Sequence, residues 1–188
     1  MKNNETKKYI SNSPEDTKNI AKQIILKYLI ENTKENKLEK VINIILNGDL
    51  AAGKTKFVEG VLELFNMEKE ISSPTFTIVN EYFKDLKIDL SKIDKTQKKE
   101  DMYITLNHFD VYRLEDEDEF FESGLKEYIY PDDFNGNNKT KKEKRVKINL
   151  IEWGLEIENV FPKPFKQINI IKDKENENKR IIEELERF

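Results

Sequence analysis

The fold is decided by residues 41 to 55, which read Val41-Ile42-Asn43-Ile44-Ile45-Leu46-Asn47-Gly48-Asp49-Leu50-Ala51-Ala52-Gly53-Lys54-Thr55. The first six residues are mostly β-branched and apolar, which is typical of a strand buried on both faces of a sheet. The last eight fit G-x-x-x-x-G-K-[ST], the pattern of a phosphate-binding loop. A buried strand that leads into such a loop favours an α/β fold.

Helices are predicted on both sides of this stretch. Between Thr55 and Asn66 the apolar residues fall at helical spacing, at Phe57, Val58, Val61, Leu62 and Phe65. Upstream, Ser13-Pro14-Glu15-Asp16 combines an N-cap serine, a proline at the first helical position and acids in the first turn. A helix with one apolar face is therefore expected from Pro14 until the polar run of residues 31–40.

The rest of the chain alternates between apolar and polar segments. Strands are predicted at about Phe76–Tyr82, Tyr103–Asp110, Val146–Glu152 and Phe165–Ile171. A helical segment is predicted from Asp116 to Tyr130, and Lys179–Phe188 is compatible with either helix or strand. We interpret residues 1–188 as a single P-loop NTPase-like α/β domain with a mixed β-sheet flanked by helices. Residues 84–101 and 131–145 have no apolar face, which indicates surface insertions.

The composition excludes several kinds of site. The 33 Lys and Arg against 37 Asp and Glu give a net charge of −4, which disfavours non-specific binding of nucleic acid. The chain has no Cys and a single His, so disulfides, thiol nucleophiles and multi-histidine metal sites are excluded, and any metal must have oxygen ligands. With no signal peptide and no long apolar segment, we expect a cytoplasmic protein that does not contact a membrane.

The loop predicts a nucleotide site. Its glycines let backbone N–H groups surround a phosphate, and the following helix directs its positive end at the same oxygens. Lys54 is expected to contact the β- and γ-phosphates, and Thr55 to place its hydroxyl on Mg²⁺. The predicted nucleotide contacts in this stretch are Asp49, Leu50, Ala51, Ala52, Gly53, Lys54, Thr55 and Lys56.

Two acids end predicted strands, as a metal site beside such a loop requires. Asp110 ends one apolar strand and Glu152 ends another, and we expect at least one of them to serve Mg²⁺.

Residues 72–77, Ser-Ser-Pro-Thr-Phe-Thr, are either a segment that senses the γ-phosphate or a turn entering a strand. His108 lies in a strand, which favours a structural role over that of a general base. Trp153 is expected either to pack on the nucleotide or a partner or to lie in the core.

Taken together, these motifs resemble the TsaE (YjeE) family of bacterial tRNA threonylcarbamoyladenosine (t6A) biosynthesis. The resemblance covers roughly residues 13–172 and is carried by four segments in order: Gly48–Thr55, Ser73–Tyr82, His108–Leu114 and Glu152-Trp153. It implies that Asp110 and Glu152 both serve a Mg²⁺–ATP site with Lys54 and Thr55. It also implies that Thr75 lies near the γ-phosphate and Thr17 near the adenine.

The resemblance further implies a function and partners. A TsaE-like chain is an ATPase that acts on TsaB and TsaD, with TsaD transferring the threonylcarbamoyl group, so that contact with tRNA is only indirect. Ala51 stands where the family usually has glycine, and if that position needs φ above zero, alanine costs about 1 kcal/mol. The family is also shorter at residues 84–101 and 131–145.

The residues leave three functions open. The first is a partner-dependent ATP hydrolase, because the chain shows a nucleotide site without a second-substrate site. The second is a small P-loop kinase acting on a small molecule or nucleotide; it is weakened because only Arg113 among the four arginines lies in a motif. The third is a nucleotide-gated binding module without useful hydrolysis. A GTPase is disfavoured because no Asn-Lys-x-Asp sequence is present.

Overall fold

In the computed structural model all the strands form one sheet around the strand that precedes the phosphate-binding loop. The structure describes residues 6–33, 39–67, 74, 77–93, 95–96, 99, 101–130 and 144–188. Within these residues the strands are β1 (Lys7–Ser11), β2 (Glu39–Asn47), β3 (Val79–Asp89), β4 (Asp101–Asp110), β5 (Lys144–Glu152), β6 (Phe165–Lys172) and β7 (Arg180–Arg187). The helices are α1 (Pro14–Thr33), α2 (Lys54–Leu64), α3 (Leu90–Ile93), α4 (Glu117–Glu122) and α5 (Lys126–Ile129), and Glu158–Val160 form a 3₁₀ turn.

The strand order is β1-β7-β6-β2-β5-β4-β3. The central strands β6, β2, β5 and β4 are parallel, whereas β3 pairs antiparallel with β4, and β7 pairs antiparallel with both β6 and β1. The sheet is therefore mixed, and the predicted α/β fold is confirmed. Since the carboxyl ends of parallel strands lie at one edge of a sheet, the residues that end β2, β4 and β5 meet there.

Alternating side chains of β2 build two separate apolar layers. Ile44 and Leu46 pack with residues of α1 and α2 on one face of the sheet. Ile45, which points to the opposite face, packs with Phe120 and other residues of α4, α5 and the 3₁₀ turn. A strand covered on both faces reads as a continuous apolar run, which is why the sequence of β2 was informative.

Helices α1 and α2 approach each other closely at Gly60. A Cβ atom placed on Gly60 would lie 2.4 Å from the backbone oxygen of Lys18. Only glycine fits such a contact. Lys18 and Lys22 of α1 also pair with Glu63 of α2 at 2.7 Å and 2.6 Å, so polar contacts flank the close approach.

The expectation that residues 84–101 have no apolar face is wrong for the first part of this range. Strand β3 continues to Asp89, seven residues beyond the predicted end at Tyr82, and pairs with β4. Leu86 and Ile88 pack against the core at alternate positions, and Leu90 of α3 is buried. This period of two, masked by the intervening charges, is the signal that the prediction missed.

Other segments refine or add to the predicted elements. The segment 116–130 is two short helices, because Gly124 adopts a φ of 75° between them. Residues 180–187 form strand β7, one of the two alternatives predicted for residues 179–188, and β1 was not predicted. Of the predicted insertion 131–145, residues 144–145 belong to β5 and residues 131–143 lie outside the described part. Among the described residues, no helix is long and apolar enough to cross a membrane.

Candidate nucleotide-binding site

The phosphate-binding loop turns sharply between β2 and α2. Gly48 and Gly53 have φ values of 155° and 119°, and Ala52 N donates to Asp49 O at 3.0 Å. A Cβ atom on Gly48 would lie 2.5 Å from Ile170 O of β6, so glycine is required by the neighbouring strand as well as by the backbone. The loop leads directly into the first turn of α2, as the pattern predicts.

Ala51 is held in the left-handed conformation, with a φ of 58°. The condition set by the sequence analysis is therefore met: this position needs a positive φ. A Cβ atom is unfavourable there by about 1 to 2 kcal/mol, so the loop carries backbone strain that glycine would not have.

Lys54 is buried and bound to the loop itself. Its Nζ donates to Gly48 O at 2.7 Å and to Asp49 O at 3.2 Å, and it lies 4.2 Å from the centre of the Trp153 ring. Burial lowers the pKa of Lys54, and the nearby carboxylates, Glu152 first, oppose that shift. The ammonium thus lies between the loop and the ends of the acid-bearing strands.

Asp110 and Glu152 end adjacent strands in the same register. Their Cα atoms are partners between β4 and β5, and Glu152 is also paired with Leu46 at the end of β2. Val111 N donates to Glu152 O at 3.2 Å, which fixes the two strand ends together. The structure therefore brings both acids beside the loop. Within the described residues, no group of three or more Asp, Glu or His side chains could hold a metal alone.

Trp153 follows Glu152 in an unusual conformation. Its φ is 67°, which is rare for a bulky residue and marks stored strain of the kind that clusters at functional sites. The ring packs against Tyr112 with centroids 5.1 Å apart, and Tyr112 is 63% exposed. Trp153 therefore faces the site, over Lys54, rather than lying wholly within the core.

The other predicted site residues are placed less centrally. Thr55 and Lys56 are exposed in the first turn of α2, and Lys56 pairs with Glu59 at 2.8 Å. Thr17 is buried, and its hydroxyl contacts Ser11 Oγ at 2.8 Å. This hydrogen bond connects the start of α1 to the end of β1 and does not reach the loop. Thr75 lies outside the described residues, and its predicted role stays a prediction.

Two cations from the C-terminal hairpin also hold the loop, and the sequence analysis did not find them. Lys172 Nζ donates to Leu50 O at 2.7 Å, and Arg180 Nε donates to Ala52 O at 2.8 Å. They lie 122 and 128 residues from their partners, so no local pattern points to these contacts. They clamp the outer side of the loop from β6 and β7.

A model of the family described as "Threonylcarbamoyl adenosine biosynthesis protein TsaE" matches residues 11–182. The chain belongs to the TsaE family. The TsaE protein of Rickettsia bellii is 32% identical over 162 residues, which cover 86% of this chain and 83% of that protein. The TsaE protein of Bacillus subtilis is 35% identical over 127 residues, or 68% of this chain and 60% of its own length.

The fold of this TsaE family member also matches a solved structure. The crystal structure of Bacillus subtilis YdiB is similar with a TM-score of 0.53 and 26% identity, covering 97% of this chain and 86% of YdiB. The resemblance stated from the four sequence segments is therefore confirmed. The TsaE match spans the loop, both strand-terminal acids, Lys172 and Arg180, so the site lies within the part that the family shares.

Proposed function

We propose that this TsaE family member is a Mg²⁺-dependent ATPase that acts in t6A biosynthesis on a TsaB–TsaD complex. The observation that carries the proposal is the position of Lys54, which lies in a phosphate-binding loop and near both strand-terminal acids, Glu152 and Asp110. A loop, a cation and two carboxylates at the same sheet edge are the parts that phosphoryl transfer to water requires.

Lys54 has a defined task in nucleotide binding. Its ammonium is held by two loop carbonyls, and a phosphate oxygen replaces them as a stronger, charged acceptor. The backbone N–H groups of the loop and the start of α2 supply the remaining donors to the phosphates. The cation then neutralises charge that develops on the transferred phosphoryl group.

The residues present suit Mg²⁺. Its preferred ligands are oxygens, and the site offers the Thr55 hydroxyl together with the carboxylates of Asp110 and Glu152. Too few protein groups converge to hold the ion alone among the described residues, so the proposal assigns its other ligands to phosphates and water. When bound, Mg²⁺ would neutralise phosphate charge and orient the terminal phosphate.

Glu152 and Asp110 differ in their surroundings, which suggests different tasks. Glu152 is 7% exposed and lies between the loop strand and β4, whereas Asp110 is half-buried and accepts a hydrogen bond from Tyr112 N at 3.3 Å. We assign Glu152 to orienting the attacking water, because it is the more enclosed acid and is adjacent to β2. Asp110 is assigned to the metal or a water bound to it.

The decisive test of this proposal is Lys54→Ala. We expect the folded variant to lose most ATP affinity and to hydrolyse ATP at least about 10² to 10³ times more slowly, because the cation that faces the phosphates is removed. Calorimetry measures binding, and phosphate release measures turnover. Lys126→Ala, which removes an exposed lysine of α5, is the matched control and should retain wild-type ATP affinity and turnover. Normal ATP binding by a folded Lys54→Ala variant contradicts the assignment.

A further inference from the structure

A row of hydrogen-bonded side chains, formed by Tyr82, His108 and Glu152, leads from β3 to the end of β5. His108 Nε2 lies 3.0 Å from Glu152 Oε1, and His108 Nδ1 lies 3.2 Å from the hydroxyl of Tyr82. His108 is completely buried and Glu152 nearly so. The only histidine of the chain is therefore in direct contact with the acid that is proposed to orient water.

The sheet register builds this row. His108 is paired with Asn80 of β3 and with Leu150 of β5, so Tyr82 and Glu152 are each two residues farther along the neighbouring strand. Diagonal neighbours of this kind lie within reach of long side chains on one face of a sheet. That face also carries α2, whose first residue is Lys54. The Tyr82 and His108 rings are stacked with centroids 6.0 Å apart, which limits rotation of the imidazole.

The chemistry of the partners gives the row a direction. An ionised carboxylate only accepts hydrogen bonds, so His108 Nε2–H donates to Glu152 Oε1. In the neutral ring, Nδ1 is then an acceptor, and the hydroxyl of Tyr82 donates to it. Oε1 is thereby occupied, and Oε2 is left as the oxygen for water or a metal-bound water.

We propose that His108 is a positioning residue that fixes the rotamer of Glu152 for ATP hydrolysis, with Tyr82 orienting the imidazole. This inference rests on the proposed ATPase function. Hydrogen-bonding partners behind a catalytic or metal-binding carboxylate are typically worth about 10 to 100-fold in activity. The effect should appear in kcat rather than in nucleotide affinity, because His108 contacts Glu152 and not the loop.

Two substitutions of the same chemical kind separate positioning from a general structural role. In His108→Gln the amide nitrogen can take the place of Nε2 and still donate to Glu152, whereas in His108→Asn the shorter side chain can reach only the Tyr82 side. We expect His108→Gln to keep kcat within about threefold of wild type and His108→Asn to lose about 10 to 100-fold. KM for ATP should change by less than about threefold in both.

The experiment measures kcat and KM of the full chain with TsaB and TsaD, together with the thermal midpoint of each variant. Tyr82→Phe should give a smaller loss, about three to tenfold. Thr105→Val is the matched control, because it removes another hydrogen bond between β3 and β4, from Asp85 N at 3.2 Å, away from Glu152. In a Glu152→Gln background, His108→Asn should add less than about twofold, since it acts through that residue.

Several results overturn the inference. Equal kcat for His108→Asn and His108→Gln does so, whether both are active or both are impaired. The inference also fails if adding His108→Asn to Glu152→Gln lowers kcat by the same factor as His108→Asn lowers it in the wild-type chain. The histidine would then act on a group other than Glu152. If the wild-type chain with its partners does not hydrolyse ATP, the proposed function fails and the inference fails with it; a hydrolysing wild type with indifferent His108 variants refutes only the inference.

Discussion

At the scale of single residues, Ala51 has a backbone conformation that is unfavourable for a residue with a Cβ atom. Its φ of 58° places a Cβ atom in a conformation that costs an L-residue about 1 to 2 kcal/mol. Glycine adopts this conformation freely, although it also gains entropy in the unfolded chain. The strain lies in the phosphate-binding loop, so it acts on the element that is proposed to hold the nucleotide.

We therefore predict that Ala51→Gly stabilises the nucleotide-free chain by about 1 kcal/mol. Urea denaturation measures this free energy of unfolding. Ala52→Gly is the matched control: Ala52 is 1% exposed and is not among the residues with a positive φ, so losing its methyl group should destabilise the chain. If Ala51→Gly is destabilised as much as Ala52→Gly, the strain at residue 51 has no energetic consequence.

The two acids at the strand ends give a second prediction at this scale. Asp110→Asn and Glu152→Gln should each lower ATP hydrolysis by about 10²-fold or more while changing ATP affinity by less than about tenfold. The reason is that charge removal affects the metal and the attacking water, whereas Lys54 and the loop still bind phosphates. Phosphate release and calorimetry measure the two effects.

Glu156→Gln is the control for those acids, because Glu156 is exposed and lies only four residues beyond Glu152. It should hydrolyse ATP at the wild-type rate. Wild-type hydrolysis by both Asp110→Asn and Glu152→Gln would remove these two residues from the mechanism.

At the scale of elements, a buried carboxylate joins β7 to β1 and α1. Glu184 of β7 is 6% exposed; it accepts hydrogen bonds from Tyr9 Oη of β1 at 2.8 Å and from Lys27 Nζ of α1 at 2.6 Å. Burial acts to raise the pKa of Glu184, but the hydrogen bonds from Lys27 and Tyr9 outweigh it, so the pKa lies below its ordinary value. Strand β1 is thus held at its edge by more than its backbone pairing.

We predict that Glu184→Gln destabilises the chain by about 1 to 3 kcal/mol at pH 7. Because the folded pKa is lowered, the stability that the carboxylate contributes is present above the unfolded value near 4.5 and is lost as the pH falls through the folded pKa. The difference between wild type and Glu184→Gln should therefore shrink below pH 4.5. Chemical denaturation from pH 7 to pH 3 tests this.

Glu183→Gln is the comparison for that series. Glu183 is the adjacent residue of β7 and pairs with Lys8 at 2.9 Å, a lysine whose side chain is 64% exposed, so its contribution should stay below about 1 kcal/mol. An equal loss of stability in the two variants would show that the cluster of Tyr9, Lys27 and Glu184 contributes no more than an exposed ion pair.

At the scale of the whole molecule, the proposed ATPase function depends on where the cations lie around the loop. Lys54 points into the loop, whereas Arg180 and Lys172 bind carbonyls on its outer side. Arg113, three residues beyond the end of β4, is exposed. An arginine supplied by a partner is worth about 10³ to 10⁵ in rate in other phosphoryl-transfer systems. Under the proposed function, we expect a chain without such an arginine at the phosphates to hydrolyse ATP slowly.

We accordingly predict slow ATP turnover by the isolated chain and at least about a tenfold increase on adding TsaB and TsaD together. Phosphate release under multiple-turnover conditions measures it, with Glu152→Gln plus the same partners as the control for contaminating hydrolysis. Rapid turnover by the chain alone, unchanged by both partners, would contradict partner activation and favour a kinase.

The sequence by itself determined the centre of the molecule. The apolar run of β2, the glycine loop after it and the amphipathic face of α2 are each specified by residues within about one turn or strand of one another, so their patterns are visible locally. For the same reason the sequence predicts the positions of Lys54 at the start of α2 and of Asp110 and Glu152 at the ends of β4 and β5, while their roles stay predictions. The positive φ at Ala51 was raised only as a condition, through the family resemblance, and the structure meets that condition.

Only the tertiary structure decided which distant groups meet. The contact of His108 with Glu152 depends on β4 lying beside β5 in one register, and the bonds of Lys172 and Arg180 to the loop depend on where β6 and β7 enter the sheet. The same holds for β1, whose largely polar sequence becomes a strand because β7 supplies the hydrogen bonds. Periodicity records which face of an element is buried, but pairing energy between strands far apart in sequence leaves no local trace.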